Sequence, residues 1–472
     1  MNYKLRSLVA ATITGSLMLG LAQHATADST TDIVNALISK GVLTEEEGAL
    51  LTKGRSNELD SQKKKEKSFA TGKVNVRGYL QIRNTAMLGG DEGVNLWSDR
   101  SVGDDRSIGN DKNFLIRRAR VVFSGDVGER LSYYIQPDFA SSAGTTGNIA
   151  QLRDAYGDVY ITKNREHRVR VGQSKVPYGF ENLQSSQNRL ALDRNDALNS
   201  AVRDERDLGA FYYYTPEDTQ KLFKEIQAAG LKHSGDYGQF ALGAYNGQGA
   251  NRGDLNDNYH IVSRFTYPWK NESGQIYEVG IQGYHGQYVP STGTYNRTGG
   301  STTTTPVFEG AGASGNNLTR GGNRNGFKDE RVGISFMMYP QPFGLQAEWN
   351  WGKTPGLDLA ANQIQEKSLN GGYVQAMYKI DNFKFLDTNG TLIPFIKWQY
   401  FDGYNKAETN APENHVNDWE VGAEWQIAPE VEFVAYYHKM KRNNLVTGSL
   451  SGRKDYETFD ADALRMQLQY NF

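Results

Sequence analysis

Along most of this chain, apolar and polar residues alternate with a period of two. The last nine residues show it most plainly. Leu464, Met466, Leu468, Tyr470 and Phe472 share one face of an extended strand, and Arg465, Gln467, Gln469 and Asn471 share the other. Such alternation gives a strand one apolar and one polar side. It recurs near 73–83, 114–124, 131–139, 152–161, 167–175, 207–214 (with an ambiguous continuation to 232), 238–246, 259–267, 276–287, 330–339, 344–352, 371–380, 392–402, 416–427, 431–439 and 463–472. Each segment is near the roughly 9–11 residues that a tilted membrane strand needs. The segments number about sixteen, and an even count returns both chain ends to one side of a closed antiparallel barrel.

The connections alternate as well. Gly125 to Gly128, Pro340 to Pro342 and Ala428 to Glu430 read as tight turns on one side. Longer connections fall at about 84–112, 140–150, 176–206, 289–328, 353–369, 403–414 and 440–461, on the other. Residues 291–327, rich in Gly, Thr and Asn, read as loop. Residues 215–225 fit either a helical insertion or a long loop. In lipid every strand edge must be paired, so an open sheet is excluded. The expected fold is all-β, a 16-stranded antiparallel transmembrane β-barrel with a short N-terminal helical periplasmic extension.

The N-terminal stretch has a different pattern. Lys4 and Arg6 precede an apolar run from Leu8 to Leu21, and Ala25-Thr-Ala27 fits a signal-peptide cleavage site. Thr31 to Ser39 reads as an amphipathic helix ended near Gly41, and Thr44 with Glu47 fits a capping box for a second one. The charged run Asp60 to Lys67 reads as a linker. The expected division is a signal peptide at 1–27, a helical extension and linker at 28–70, and a barrel at 71–472. The extension fits either an aid to assembly or trimer contacts, or a partly disordered lead-in.

Composition narrows the class further. Only 38% of residues are hydrophobic, with 27 Tyr, 51 Gly, 12 Pro and no Cys. Aromatic girdles, tight turns and a polar interior demand that mixture. Removing Lys4 and Arg6 from 52 basic residues leaves 50 against 54 acidic, about −4, so no global field attracts anions. Any anion preference must come from local placement.

Signals for catalysis are missing: there is no nucleophile elbow, no phosphate-cradling loop and no His-Glu-x-x-His. The histidines lack metal-ligand spacing, and the acidic pairs Asp104-Asp105 and Asp254 to Asp257 read as solvated loop residues. Basic residues on the inward parity are the informative set. Arg77, Arg83, Arg118, Arg120, Arg168 and Arg170 oppose apolar neighbours and should face the lumen. Arg117 shares the apolar parity and is expected near an interface, its head snorkelling. Asp154 and Asp158 supply inward acids as partners. The third long connection carries Arg189, Arg194, Arg203 and Arg206 after Lys175. Guanidinium in a narrow pore suits anions, but the acids of that segment nearly balance it, and both readings stand.

Three stretches bring a family into view. Phe114-Leu-Ile-Arg-Arg-Ala-Arg-Val-Val-Phe-Ser-Gly125 resembles the Arg-Arg-Ala-Arg strand of the phosphate-selective porin O/P family. Leu152-Arg-Asp-Ala-Tyr156 and Gly172-Gln-Ser-Lys-Val-Pro-Tyr-Gly179 are similar to its next two motifs, and Arg206-Asp-Leu-Gly209 follows in order. The resemblance implies a trimeric sixteen-stranded outer-membrane porin whose third loop folds inside, with an arginine ladder and a basic central site. Arg118, Arg120 and Lys175 match by motif; the loop arginines match by location only. One departure is that 289–327 holds no lysine and only Arg297, Arg320 and Arg324. The resemblance points to a passive channel for small anions such as phosphate, with no cofactor, no enzyme activity and no nucleic acid, set in outer-membrane lipid as a homotrimer. The alternative is a general or carbohydrate-permeable pore, with Tyr134, Tyr156 and Tyr160 stacking on sugars. More distant are an outer-membrane hydrolase and a non-conducting adhesive barrel.

Overall fold

The computed structural model describes residues 34–35, 37–50, 53, 74–91, 94, 96, 114–143, 146–296, 303–308, 325–385, 387–445 and 456–472. The chain divides into two units, Met1–Thr71 and Gly72–Phe472. In the first, helical turns lie within 34–39 and at 45–50. The second is capped as its sequence predicts. Thr44 N donates to Glu47 Oε2 at 2.9 Å, and Glu47 N donates to Thr44 Oγ1 at 3.2 Å. The expected signal peptide at 1–27, the run 60–67, Asp104-Asp105, and Arg297, Arg320 and Arg324 lie outside the described residues.

The second unit is a closed barrel of sixteen strands. They are β1 (Asn75–Gly90), β2 (Phe114–Val127), β3 (Leu131–Ala143), β4 (Thr146–Tyr160), β5 (His167–Lys175), β6 (Arg206–Tyr214), β7 (Phe240–Tyr245), β8 (His260–Lys270), β9 (Ile276–Tyr288), β10 (Phe327–Met338), β11 (Phe343–Asp358), β12 (Gln363–Tyr378), β13 (Thr388–Tyr404), β14 (Glu413–Ala428), β15 (Val431–Leu445) and β16 (Tyr456–Asn471). Each pairs antiparallel with its neighbour in sequence. β1 then closes on β16, with Tyr79 opposite Asn471 and Leu80 opposite Tyr470. The seam ends where Gly78 and Phe472 exchange backbone hydrogen bonds of 2.7 and 3.0 Å. A Cβ on Gly78 would lie 2.6 Å from the Phe472 ring and 2.4 Å from the Arg120 carbonyl, so only glycine fits.

Burial is inverted relative to a water-soluble sheet. In β16 the polar Arg465, Gln467 and Gln469 are buried, while Tyr470 and Phe472 are exposed. The largest fully buried side chains include Arg83, Arg118, Arg153, Arg442 and Arg465. Apolar outside and charged inside is the arrangement that lipid imposes.

Several loop expectations need correction. The expected loop 353–369 is the outer part of β11 and β12, joined only by 359–362, and 140–150 is mostly strand. β13 runs to Tyr404, β15 to Leu445, and β16 starts at Tyr456, all inside expected loops. Strands that project beyond the bilayer meet water on both faces, so their sequence loses the alternation. Arg117 is also corrected. It is buried, not at an interface, because a bulge opposite Gln81 and Ile82 shifts the register of β2 there. The possible continuation of β6 to 232 is not strand: Glu217–Ala228 is a helix, as the helical alternative for 215–225 expects.

Two segments fill the lumen. The first is L3 (residues 176–205), which joins β5 to β6 and contains helical turns α1 (Phe180–Leu183) and α2 (Asp196–Asn199). The second is the connection 215–239 between β6 and β7, carrying helix α3 (Glu217–Ala228). Apolar residues from both, Phe180, Leu190, Leu192, Ile226 and Leu231, pack on inward residues of β9 to β15 such as Ile393 and Tyr436. Open space is left beside them, lined by β1–β6 and also by the ends of β13 to β15.

Candidate functional site in the barrel lumen

L3 is held inside the barrel by charged contacts to the wall. Its entry uses the free N–H groups of α1: Phe180 N and Glu181 N donate to the Glu348 carboxylate on β11 at 2.6 and 2.7 Å. Glu181 in turn takes Lys397 of β13 at 2.6 Å. Asp193 lies between two wall arginines, at 3.1 Å from Arg83 of β1 and paired with Arg465 of β16. Asp196 meets Arg442 of β15 at 2.9 Å. The end of α2 is held from the loop side. There Arg331 donates to the Ala197 and Ser200 carbonyls at 2.7 and 3.0 Å, and Lys406 to the Ala201 carbonyl at 2.6 Å.

The exit of L3 is an acidic hub. Glu205 faces three arginines: Arg194 at 2.7 Å, Arg206 at 2.9 Å and Arg153 at 3.7 Å. Burial by itself raises a carboxyl pKa, but here the arginines overcome it and hold Glu205 well below the usual range. Asp204 and Glu205 both adopt left-handed backbone, φ 64° and 59°, which non-glycine residues hold only when their contacts demand it.

Beside L3 is a cavity of about 1070 Å³, lined by six basic side chains against four acidic ones. Five of the sequence-predicted residues line it: Arg77, Arg120, Arg170, Lys175 and Arg206. Three of these five are paired. Arg120 meets Asp138 at 2.7 Å, Arg170 meets Asp158 at 2.8 Å, and Arg206 meets Asp154 at 2.9 Å. The other two are different. Lys175 Nζ donates to the carbonyls of Leu183 and Gln184 at 2.9 and 2.6 Å, and Arg77 donates to Tyr134 Oη at 3.4 Å. Among the described residues neither has a carboxylate within ion-pair distance.

The wall between them is a run of alternating guanidinium and phenol groups. The Tyr134 and Tyr156 rings stack at 5.2 Å with 9° between planes. Arg77 lies over Tyr134, Arg170 over Tyr156 at 3.8 Å, and Arg168 over Tyr213 at 4.9 Å. Such contacts fix the guanidinium planes without using their N–H donors.

The remaining predicted residues sit elsewhere. Arg83 and Arg194 are consumed in the L3 contacts, Arg118 donates to Gln81 Oε1 at 2.8 Å, and Arg168 meets Asp236 at 3.1 Å. These four, expected to line the pore, are buried off this cavity. Arg203 is half-buried and donates to the Ala407 carbonyl at 3.0 Å. Arg189 is buried in L3; one Nη donates to the Leu192 carbonyl at 3.1 Å, while its Nε and other Nη have no partner among the described residues.

Residues 93–472 match the family described as phosphate-selective porin O and P. The chain belongs to this family. It is therefore a porin of the bacterial outer membrane. Solved structures with a similar course include the outer membrane channel DcaP of Acinetobacter baumannii (12% identity, 85% of this chain, 97% of that chain, TM-score 0.48). OmpT of Vibrio cholerae (10%, 85%, 98%, TM-score 0.46) and the anion-selective porin from Comamonas acidovorans (11%, 85%, 100%, TM-score 0.43) are others. No curated protein sequence matches the chain.

Sequence reasoning missed much of what holds this porin's interior. Lys397, Arg442, Asp418 and Glu348 on the far wall, and Lys232 in the β6–β7 connection, were not singled out. Their inward parity was visible, as for Arg465 in β16. Their partners lie so far along the chain that no local pattern points to them.

Proposed function

We propose that this porin is a passive diffusion channel for small anions, phosphate among them, with the third loop (residues 176–206) as its constriction. The observation that carries the reading is the pair of lumen cations, Arg77 and Lys175, that line the cavity with no carboxylate in ion-pair distance among the described residues. A cation already paired has little left for a passing ion, whereas an unpaired one replaces part of the ion's water shell. The paired arginines beside them keep spare N–H donors, so an anion can be passed between weak sites and still leave. No bond is broken, and no cofactor is needed.

The sugar-permeable alternative is less favoured. The Tyr134 and Tyr156 faces stack on each other, Arg170 lies over Tyr156 and Arg165 over Tyr160, so the three tyrosines of that reading already hold partners on their rings. Adding millimolar phosphate to a chloride-carrying channel is expected to reduce the chloride current in a saturable way. An unaltered current at tens of millimolar phosphate would remove phosphate from the reading.

The same reading takes the porin as a homotrimer. All six described tryptophans (Trp269, Trp349, Trp351, Trp398, Trp419 and Trp425) lie on β8, β11, β13 and β14, and tryptophan anchors lipid-facing surface. That leaves the arc from β15 through β7 for sister copies. It also takes residues 1–27 as a removed export signal and 28–70 as a periplasmic extension.

A further inference from the structure

We propose that the 215–239 insertion is a second constriction, entering from the periplasmic end, and that Lys232 with Glu424 latches it across the lumen. This rests on the channel reading above.

The insertion is out of scale with its neighbours. Turns 128–130, 271–275 and 429–430 at that end are short, and 379–387 is a strand extension, Ile380–Phe385, folded back on the start of β13. Here a three-turn helix intervenes, and the chain then turns back into the barrel. α3 presents Leu222, Phe223 and Ile226 to the inward residues Ile276 and Tyr339, while Lys221, Lys224 and Glu225 remain exposed. The helix ends at Gly230, φ +62°, where Leu231 N donates back to the Ile226 carbonyl at 3.2 Å. That left-handed residue sends the chain inward, and Leu231 joins the apolar cluster shared with L3.

The next residues cross the lumen. Lys232, buried, pairs with Glu424 of β14, on the side of the barrel opposite β6 and β7. Its carbonyl accepts from Gln184 of L3 at 3.0 Å. Asn188 of L3 donates to His233 Nε2 at 3.3 Å. The return is tied to the wall by Asp236, which takes Arg168 at 3.1 Å and accepts from Thr215 Oγ1 at 2.9 Å. The insertion and L3 thus form one partition. The insertion contributes more residues to the cavity lining than L3 does, including Lys232, His233 and Tyr237.

A solute leaving toward the periplasm must therefore pass the insertion, through a space walled by the basic side of β1–β6 and by the ends of β13 to β15. Across the lumen Glu424 pairs with Lys232, while Glu432 accepts from Asn471 Nδ2 at 2.8 Å. Removing the Glu424 charge leaves Lys232 uncompensated in the path.

The chain contains no cysteine, so an introduced thiol is unique. His233→Cys, treated from the periplasmic side with a negatively charged methanethiosulfonate, is expected to lose about half or more of its single-channel conductance, as a bulky anion in a narrow pore requires. Glu424→Gln is expected to raise anion preference and current noise together. Replacing 217–235 by a short Gly-Ser turn is expected to raise conductance about two-fold or more. Unchanged conductance after labelling His233→Cys, with unchanged selectivity in Glu424→Gln, overturns the inference while leaving the channel reading intact. A wild-type protein that inserts but carries no current overturns the channel reading, and the second constriction with it.

Discussion

Lys175→Met is expected to lower the anion-over-cation permeability ratio roughly ten-fold, because a charge about 6 Å from the ion path at an effective dielectric near 20 is worth about 1–3 kcal/mol before screening. The effect is large because Lys175 is one of two cavity cations with no carboxylate beside it among the described residues. Methionine keeps most of the volume but loses the two hydrogen bonds to the Leu183 and Gln184 carbonyls, so the entry of L3 loosens as well. Lys175→Arg separates the two effects, since it restores charge while changing the reach to those carbonyls. Reversal potentials of both variants decide the point. If Lys175→Met keeps the wild-type ratio, the lumen cation is not what sets selectivity.

Glu205→Gln is expected to be the most damaging single change to the interior. It removes the one charge shared by Arg194, Arg206 and Arg153, at 2.7, 2.9 and 3.7 Å. Breaking a buried ion-paired group leaves uncompensated charge and costs about 3–5 kcal/mol. The left-handed backbone at Asp204 and Glu205 then has less to hold it, and the end of L3 should leave its place. A lower unfolding temperature in detergent, together with a noisier and larger conductance, is the expected result. The sign of the pH effect follows from the same geometry. The Glu205 carboxyl is held below its unfolded value, so its stabilisation is complete above about pH 4.5 and is lost only as pH falls through the much lower folded value. The deficit of Glu205→Gln in unfolding temperature should therefore be constant above about pH 4.5 and should shrink as pH falls further, because only the wild type then loses this stabilisation.

What could be read from the sequence follows from what the membrane enforces. Leu464 to Phe472, the Arg118 and Arg120 strand, and the Arg168 and Arg170 strand were legible because lipid on one side and water on the other write a period of two into each. Asp158 was legible as a partner because it lies one strand from Arg170, which it does take, whereas Asp154 takes Arg206 two strands away. Beyond the bilayer the pattern fades, which is why the ends of β11, β12 and β16 were read as loop. A single bulge was enough to invert the reading of Arg117. The division between arginines that structure L3 and those that face open space was out of reach. Arg83 is 110 residues from Asp193, and Arg442 is 246 from Asp196. Pairing at such distances is set by closure of the barrel, not by local pattern. The β6–β7 insertion was ambiguous because its helical period covers only three turns and its return segment has none.

The account's central claim is that the lumen favours anions although the chain as a whole is slightly acidic. The most direct test is the zero-current potential of the wild-type porin in a planar bilayer under a ten-fold KCl gradient at neutral pH. The claim predicts a potential displaced toward the chloride equilibrium value. A displacement toward the potassium value would contradict it.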